Sequence, residues 1–170
     1  LLARRTVGLV GVGHVARKLV PLLQAFHCRI LGFDSAPSPA GNVEFTTLRE
    51  LLTSSDVISL HLPSSPSTRK IIGPQEFAVM KRGSVIINTS RGNLIDHDAL
   101  VHALRSRHVA GAGLDVLDPE PPTDWKVMRE ENLFITPHLA GTSEETNLAM
   151  GRAAIRGFLE HRNIFTDALA

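Results

Sequence analysis

The sequence predicts an α/β protein in which helices cover both faces of a parallel sheet. Short apolar runs alternate with longer helical patterns along all 170 residues. Several of the runs are apolar at nearly every position, as strands covered on both faces require. Strand followed by helix, repeated, implies right-handed crossovers and therefore a doubly wound parallel sheet.

The individual elements follow from these runs in chain order. Six strands are expected over residues 6–10, 29–33, 57–60, 84–88, 110–116 and 133–136. Five helices are expected over residues 15–26, 48–53, 74–80, 97–107 and 144–160. Pro21 predicts a kink or an early end in the first helix, and His27 stands where glycine commonly follows a helix.

Composition favours one domain over residues 1–170, with a core over about 5–160, because 43% of the residues are hydrophobic. The 18 basic and 17 acidic residues nearly cancel, so the net charge of +1 gives no reason to expect nucleic acid or a membrane as a partner. Cys28 is the single cysteine and cannot form an internal disulfide. With no signal-like N-terminal region and no apolar run of about 18 residues, we expect a cytoplasmic protein.

A glycine motif joins the first predicted strand to the first predicted helix. Residues 11–16 read G-x-G-x-x-A. In a dinucleotide-binding fold Gly11 makes the tight turn, Gly13 lets the backbone approach the diphosphate, and Ala16 lets helix and strand pack closely. The N–H groups of His14 and Val15 then face the phosphates from the helix N-terminus. The motif alone also fits an ordinary tight turn.

Asp34 strengthens the dinucleotide interpretation. It ends the second predicted strand, 18 positions after Ala16, near the interval of roughly 20 residues at which a carboxylate meets the adenosine ribose. A carboxylate there repels a 2′-phosphate, and no arginine follows at Ser35 or Ala36. The order of strand, glycines, helix, strand and acid predicts a Rossmann-type domain that binds NAD. The alternative is a solvated aspartate in a turn.

Three further segments resemble one enzyme family. They are INTSRGNLID (87–96), GLDVLDPEPP (113–122) and TPHLAG (136–141). Together with the glycine motif, they are similar to the D-isomer-specific 2-hydroxyacid dehydrogenases from about residue 5 to about residue 159. The resemblance implies an NAD-dependent oxidoreductase that interconverts D-2-hydroxy acids and 2-keto acids, and a homodimer. Members carry a substrate-binding domain before the glycine motif, and we expect it to be missing here because the motif begins at residue 11.

Hydride transfer to a keto acid needs a proton donor that titrates near neutrality. Among the eight histidines, His138 is best placed, because it follows a short apolar strand and precedes small residues. Four others are expected to be solvated, and no pair of histidines predicts a metal site; the four are His97, His102, His108 and His161.

The resemblance supplies partners for His138. It implies that Glu120, 18 positions earlier and set among prolines, hydrogen-bonds the imidazole, orients it and favours its protonated form. Arg91 follows a predicted strand at the edge where ligands of such sheets bind, and its guanidinium suits the carboxylate of a keto acid. The alternatives are an exposed loop acid at Glu120 and a surface arginine at Arg91.

Other residues are assigned to the cofactor by resemblance alone. Asp115 is implied as the acceptor for the nicotinamide carboxamide. The remaining implied contacts are Leu62, Pro63, Thr68, Thr89, Ser90, Arg91, His138, Ala140 and Gly141.

Two functions remain open at this point. The first is an oxidoreductase module that uses NAD(H), and the second is an NAD(H)-binding sensor or interaction domain without turnover. Arg91, Glu120 and His138 favour the enzyme lineage, although sensor relatives of the family keep the same three residues. Formate dehydrogenases fit less well, because they place glutamine where Glu120 stands.

Overall fold

The computed structural model describes residues 2–123 and 130–167, with side chains through residue 159. The chain divides into two compact units, Leu1–Pro137 and His138–Ala170. The first unit holds the whole sheet, and the second holds the last helix. The expectation of a single cofactor domain over residues 1–170 stays a prediction.

The first unit is built around a seven-stranded sheet in which every neighbouring pair of strands is parallel. Its strands are β1 Thr6–Val10, β2 Arg29–Phe33, β3 Glu44–Phe45, β4 Val57–Leu60, β5 Ser84–Asn88, β6 Val109–Leu114 and β7 Leu133–Ile135. Their order in the sheet is β3-β2-β1-β4-β5-β6-β7. This order confirms the predicted Rossmann-type fold.

The described residues contain five α-helices, each starting within one residue of its predicted start, although the last continues to Asp167 instead of ending at residue 160. They are α1 His14–Ala25, α2 Leu48–Ser54, α3 Pro74–Val79, α4 His97–Arg105 and α5 Glu144–Asp167. A 3₁₀ turn at Gly92–Leu94 and strand β3 were not predicted. Both are too short to leave a periodic pattern: β3 has two residues at the sheet edge.

The expected early end of α1 at Pro21 is wrong, because the helix continues to Ala25. Pro21 lies on the exposed face of the helix, where water can replace the hydrogen bond that proline cannot donate. His27 adopts the left-handed conformation that glycine usually supplies, with φ of 55°. The N–H of Cys28 then donates to the carbonyl of Leu23 at 3.1 Å, which closes the helix end as a Schellman motif.

Hydrophobic side chains pack on both faces of the sheet. One cluster lies against α1 and includes Val7, Leu9 and Ile30. The other, larger cluster includes Val10 and Leu31 and continues beneath α2, α3 and α4. Alternate residues of β1 and β2 therefore enter opposite clusters, which is the arrangement that a doubly wound sheet requires.

The strand order reverses between β1 and β4. The first crossover leads from β1 to β2 on one side, whereas β4 and the later strands lie on the other side. The connections that leave β1 and β4 diverge at this point and open a crevice at the carboxyl ends of the strands. The glycine turn after β1 and the residues after β4 border that crevice.

Candidate functional site

The turn after β1 requires glycine at residue 11. Gly11 has φ of +91°, and a Cβ there would lie 2.9 Å from the backbone carbonyl of His61. Its N–H donates to the carbonyl of Phe33 at 2.8 Å, so the turn is held against the ends of β2 and β4. Any larger residue would push these three segments apart.

Gly13 and the first turn of α1 form a cradle that fits a diphosphate. Gly13 is the N-cap, and no side chain caps the helix. A Cβ at Gly13 would meet no atom within 4 Å, so the space above it is open. His14 and Val15 are exposed, and the first N–H groups of a helix have no acceptor within it. Ala16 is fully buried and lets α1 approach the sheet.

Asp34 closes the glycine turn from the end of β2. Its Oδ2 accepts the N–H of Val12 at 2.8 Å, and its Oδ1 accepts the N–H of Ala36 at 3.0 Å. The N–H groups of Ala36 and Val12 lower the pKa of Asp34, with a further contribution from the Arg17 charge. The carboxylate is therefore ionised beside the cradle, where it suits ribose hydroxyls and disfavours an added phosphate.

The segment after β4 forms the opposite wall of the turn. The Nε2 of His61 lies 2.9 Å from the Oγ of Ser59, and burial lowers the pKa of His61. Leu62 reaches toward Gly11 and packs against the larger core cluster. The Oγ1 of Thr68 donates to the carbonyl of Pro63 at 2.8 Å and fixes the loop that follows. The sequence indicated no role for His61, because the partial burial of its ring leaves no local pattern.

Asn88 organises the turn that carries Arg91. Its side chain is fully buried at the end of β5. Its amide Nδ2 donates to the carbonyl of Arg91 at 2.8 Å, and its Oδ1 accepts the N–H of Ser90 at 3.0 Å and the Ser90 hydroxyl at 2.9 Å. Thr89 and Arg91 are exposed at the carboxyl edge of the sheet. Asn88 stands inside the INTSRGNLID segment, but its role was missed because burial is not visible in the motif.

The end of β6 lies beside this turn. Asp115 is buried, its N–H donates to the carbonyl of Asn88 at 2.9 Å, and its carboxylate accepts the Thr136 hydroxyl. A Cβ at Gly92 would overlap the backbone of Leu117. The turn that carries Arg91 can therefore pack directly against the segment after β6 only because residue 92 is glycine. Parallel strands thus bring the glycine turn, Asp34, Leu62, Arg91 and Asp115 to one edge of the sheet.

Glu120 lies in the loop after β6, and its Oε1 accepts the N–H of Leu117 at 2.7 Å. This bond fixes the carboxylate close to the backbone that Gly92 touches.

His138, Ala140 and Gly141 belong to the second unit. His138 is exposed and has φ of 54°, in the left-handed region, and its carbonyl accepts the Thr142 hydroxyl at 3.3 Å. Ala140 and Gly141 are exposed as well, and a Cβ at Gly141 would meet no atom within 4 Å.

Two histidines expected to be solvated are partly buried instead. The Nε2 of His108 lies 2.9 Å from the carbonyl of Met80. Burial lowers the pKa of His97, which lines a cleft of about 560 Å³ beside α4. Lys70, which also lines the cleft, is paired with Asp96 at 2.9 Å. His102 is exposed as expected, whereas the side chain of His161 lies outside the described residues.

The described residues offer neither a metal site nor a membrane-spanning helix. They contain no cluster of histidine, cysteine and acidic side chains arranged to hold a metal ion. Within the same residues, no helix has the length and apolarity needed to cross a bilayer.

Residues 1–140 match the family described as D-isomer specific 2-hydroxyacid dehydrogenase, NAD binding domain. Glycerate dehydrogenase of Methylorubrum extorquens is 39% identical over 147 residues, which are 85% of this chain and 46% of that protein. D-3-phosphoglycerate dehydrogenase of Escherichia coli K12 is 36% identical over 154 residues, which are 86% of this chain and 38% of that protein. The chain therefore spans less than half the length of these two curated relatives.

A solved structure of D-lactate dehydrogenase with NAD⁺ from Lactobacillus jensenii superposes with a TM-score of 0.84 at 32% identity, over 89% of this chain and 51% of that one. The match agrees with the sheet order and with a cradle that fits a dinucleotide diphosphate. The predicted cofactor, NAD, is confirmed by the family. The chain thus belongs to the D-isomer specific 2-hydroxyacid dehydrogenases, NAD-dependent oxidoreductases that act on CH–OH groups, and corresponds to their NAD binding domain.

Proposed function

We propose that this domain serves an oxidoreductase that transfers a hydride between NAD(H) and a D-2-hydroxy acid and 2-keto acid pair. The observation that carries the proposal is the convergence of the diphosphate cradle and the Arg91 turn at one edge of the sheet. Bound there, the nicotinamide supplies or accepts the hydride. The family to which the chain belongs performs this class of reaction.

Arg91 is proposed to bind the carboxylate of the substrate. Its side chain is exposed, and the described residues include no carboxylate in an ion pair with it. Its Nη1 donates to the carbonyl of Ser90 at 2.6 Å, which leaves the rest of the fork available. A planar guanidinium can hold a planar carboxylate with two parallel hydrogen bonds.

His138 is proposed as the proton donor in reduction and the acceptor in oxidation. An imidazole titrates close to neutral pH, so it can act in both directions. Glu120 is proposed to hold the ring in one orientation and to favour its protonated form. The support for this pair is the match of both residues to the family segments and the fixed position of the Glu120 carboxylate on Leu117.

We also propose a homodimer as the working form. An apolar stripe on α1 supports it: Val15, Leu22 and Phe26 are 64%, 59% and 55% exposed, and Leu19 lies between them on the same face. The spacing of these residues places them along one side of the helix. Light scattering of Leu22→Glu and of the wild-type protein tests this stripe. A dimer that is unchanged in the variant would show that the stripe is not the dimer contact.

A reducing, cytoplasmic setting remains our proposal, supported by the buried, unbridged Cys28.

The test of the reaction is NADH consumption with glyoxylate, hydroxypyruvate and pyruvate by the longest protein that carries this sequence. His138→Asn should lower kcat by about 10² to 10⁴ fold, the usual contribution of a general acid. Arg91→Ala should mainly raise KM for the keto acid. Exposed Arg107→Ala is the control and should change neither value. NADH binding without turnover of any keto acid would favour the sensor function, and unchanged turnover in His138→Asn would remove the proposed donor.

A further inference from the structure

Arg17 joins the glycine turn to the loop that follows β2. Its Nε donates to the carbonyl of Val12 at 3.2 Å, and its Nη1 donates to the carbonyl of Pro39 at 2.7 Å. Its Nη2 donates to the carbonyl of Ser38 at 3.1 Å and also contacts the Ser38 hydroxyl. One exposed guanidinium therefore binds three carbonyls from two segments that are distant in the sequence.

The position of Arg17 is unfavourable for the helix that carries it. Arg17 lies in the first turn of α1, where the helix dipole places partial positive charge. Cations are favoured at the opposite end of a helix, and α1 has no acidic residue in its first turn to balance the charge. The three carbonyls give the guanidinium its stabilising partners, and two of them belong to a loop outside the helix.

The bonds around Val12 fix both of its peptide planes. The N–H of Val12 donates to Asp34, and the carbonyl of Val12 accepts from Arg17. In a trans peptide the carbonyl and the following N–H point in opposite directions. Holding the Val12 carbonyl toward Arg17 therefore turns the N–H of Gly13 away from the guanidinium.

We propose that Arg17 is a positioning residue for the cofactor: it fixes the Val12–Gly13 peptide and the loop over residues 35–42 in one arrangement, so that the amides above α1 and the Asp34 carboxylate meet a single dinucleotide. This role requires NAD binding, which the family shows, and does not depend on the proposed reaction. Arg17 acts through the backbone of its neighbours. It fixes their geometry before binding, which reduces the ordering that binding would otherwise require.

Arg17→Lys and Arg17→Ala test the proposal by calorimetric titration with NADH and with ADP-ribose. Lysine keeps the charge, but its three N–H donors lie on one nitrogen, so they cannot reach the separate carbonyls that Arg17 contacts through Nε, Nη1 and Nη2. We expect both variants to lower the affinity for NADH and for ADP-ribose by about tenfold. Both ligands should be affected because both contain the adenosine and diphosphate groups that this side of the site would bind. Hydrogen exchange should rise at Val12 and Ala36, whose N–H groups donate to Asp34, and stay unchanged in β5 and β6. Lys18→Ala is the matched control: Lys18 is the next cation on α1, and among the described residues it takes part in no side-chain hydrogen bond or ion pair.

Three outcomes would overturn the role of Arg17. The first is wild-type affinity in Arg17→Lys, which would show that the charge alone matters. The second is unchanged exchange at Val12 and Ala36 in both variants. The third is an equal loss in Lys18→Ala, which would assign the effect to general electrostatic attraction. If Arg17→Ala unfolds, Arg17→Lys and the exchange measurement still decide. Failure of the wild-type protein to bind NADH would remove the premise as well as the role.

Discussion

The carboxylate of Asp34 accepts the N–H of Val12 across 2.8 Å, so the end of β2 holds the turn that follows β1. The same carboxylate accepts the N–H of Ala36 with its other oxygen. These bonds lower the pKa of Asp34 and keep it ionised near neutral pH. Asp34, which the sequence predicts to meet the ribose, therefore also fixes the turn that presents the amides.

Asp34→Asn should weaken the binding of NADH and reduce the ratio of NADH affinity to NADPH affinity. The amide retains a single oxygen, so it cannot accept from both Val12 and Ala36, and it no longer repels a 2′-phosphate. We expect NADH affinity to fall by about tenfold, since a charge-assisted hydrogen bond contributes about 1.5 to 3 kcal/mol. Calorimetric titration with both cofactors measures the ratio. An unchanged ratio would mean that Asp34 does not select the cofactor.

Gly13→Ala and Gly11→Ala should separate binding from folding. The Cβ at Gly13 enters open space, so the unfolding temperature should stay close to that of the wild-type protein while NADH affinity drops by about tenfold or more. Gly11→Ala forces a side chain into a left-handed conformation against the His61 carbonyl and should destabilise the fold by about 1 to 3 kcal/mol. Calorimetry and thermal unfolding on both variants provide the measurement. Full NADH affinity in Gly13→Ala would show that the diphosphate lies elsewhere.

Asn88→Ala should destabilise the protein and disturb Arg91. The substitution removes three hydrogen bonds of a fully buried amide, which predicts a loss of about 1 to 3 kcal/mol in the free energy of unfolding. Urea unfolding measures it, and KM for the keto acid reports the displaced guanidinium. Asn93→Ala is the control, because among the described residues the Asn93 amide donates to the exposed Ser64 hydroxyl and to no other group. Equal stability of the two variants would contradict the role of Asn88.

His61 should make stability depend on pH in the weakly acidic range. Burial lowers the pKa of His61 in the folded protein below the value of about 6.5 for an unfolded chain. As pH falls below about 6.5, the unfolded chain binds a proton that the folded protein does not, so the free energy of unfolding decreases until pH passes the folded pKa.

His61→Gln should therefore lose less stability than the wild-type protein between about pH 7.5 and about pH 5.5. Burial lowers the pKa of His97 in the same direction, so part of the dependence should persist in the variant. Urea unfolding at both pH values gives the comparison, with exposed His102→Gln as control. Identical pH dependence in His61→Gln and the wild-type protein would show that His61 is not the group that titrates.

The sequence determined the order of the elements because apolar runs and helical patterns are local properties. The glycine motif and Asp34 were visible because their roles depend on fixed spacing along one βαβ unit. In contrast, β3 has two residues and takes its conformation from the neighbouring β2 rather than from its own pattern. The early end expected at Pro21 is wrong because the effect of a proline depends on which face of α1 meets water, and local sequence does not give that.

Arg91, Glu120 and Asp115 were recognised in the sequence because they lie in segments that resemble the family. The groups that hold these residues in place became visible only in the structure. Asn88, His61 and Arg17 act through burial or through backbone atoms of distant segments, and no short motif encodes such contacts. Sequence by itself determined the fold class, the family and the cofactor, since these depend on periodicity and on residue types at set intervals. Tertiary structure alone decided which peptide groups each buried or bridging side chain holds, because those distances exist only after the parallel strands have brought their carboxyl ends together.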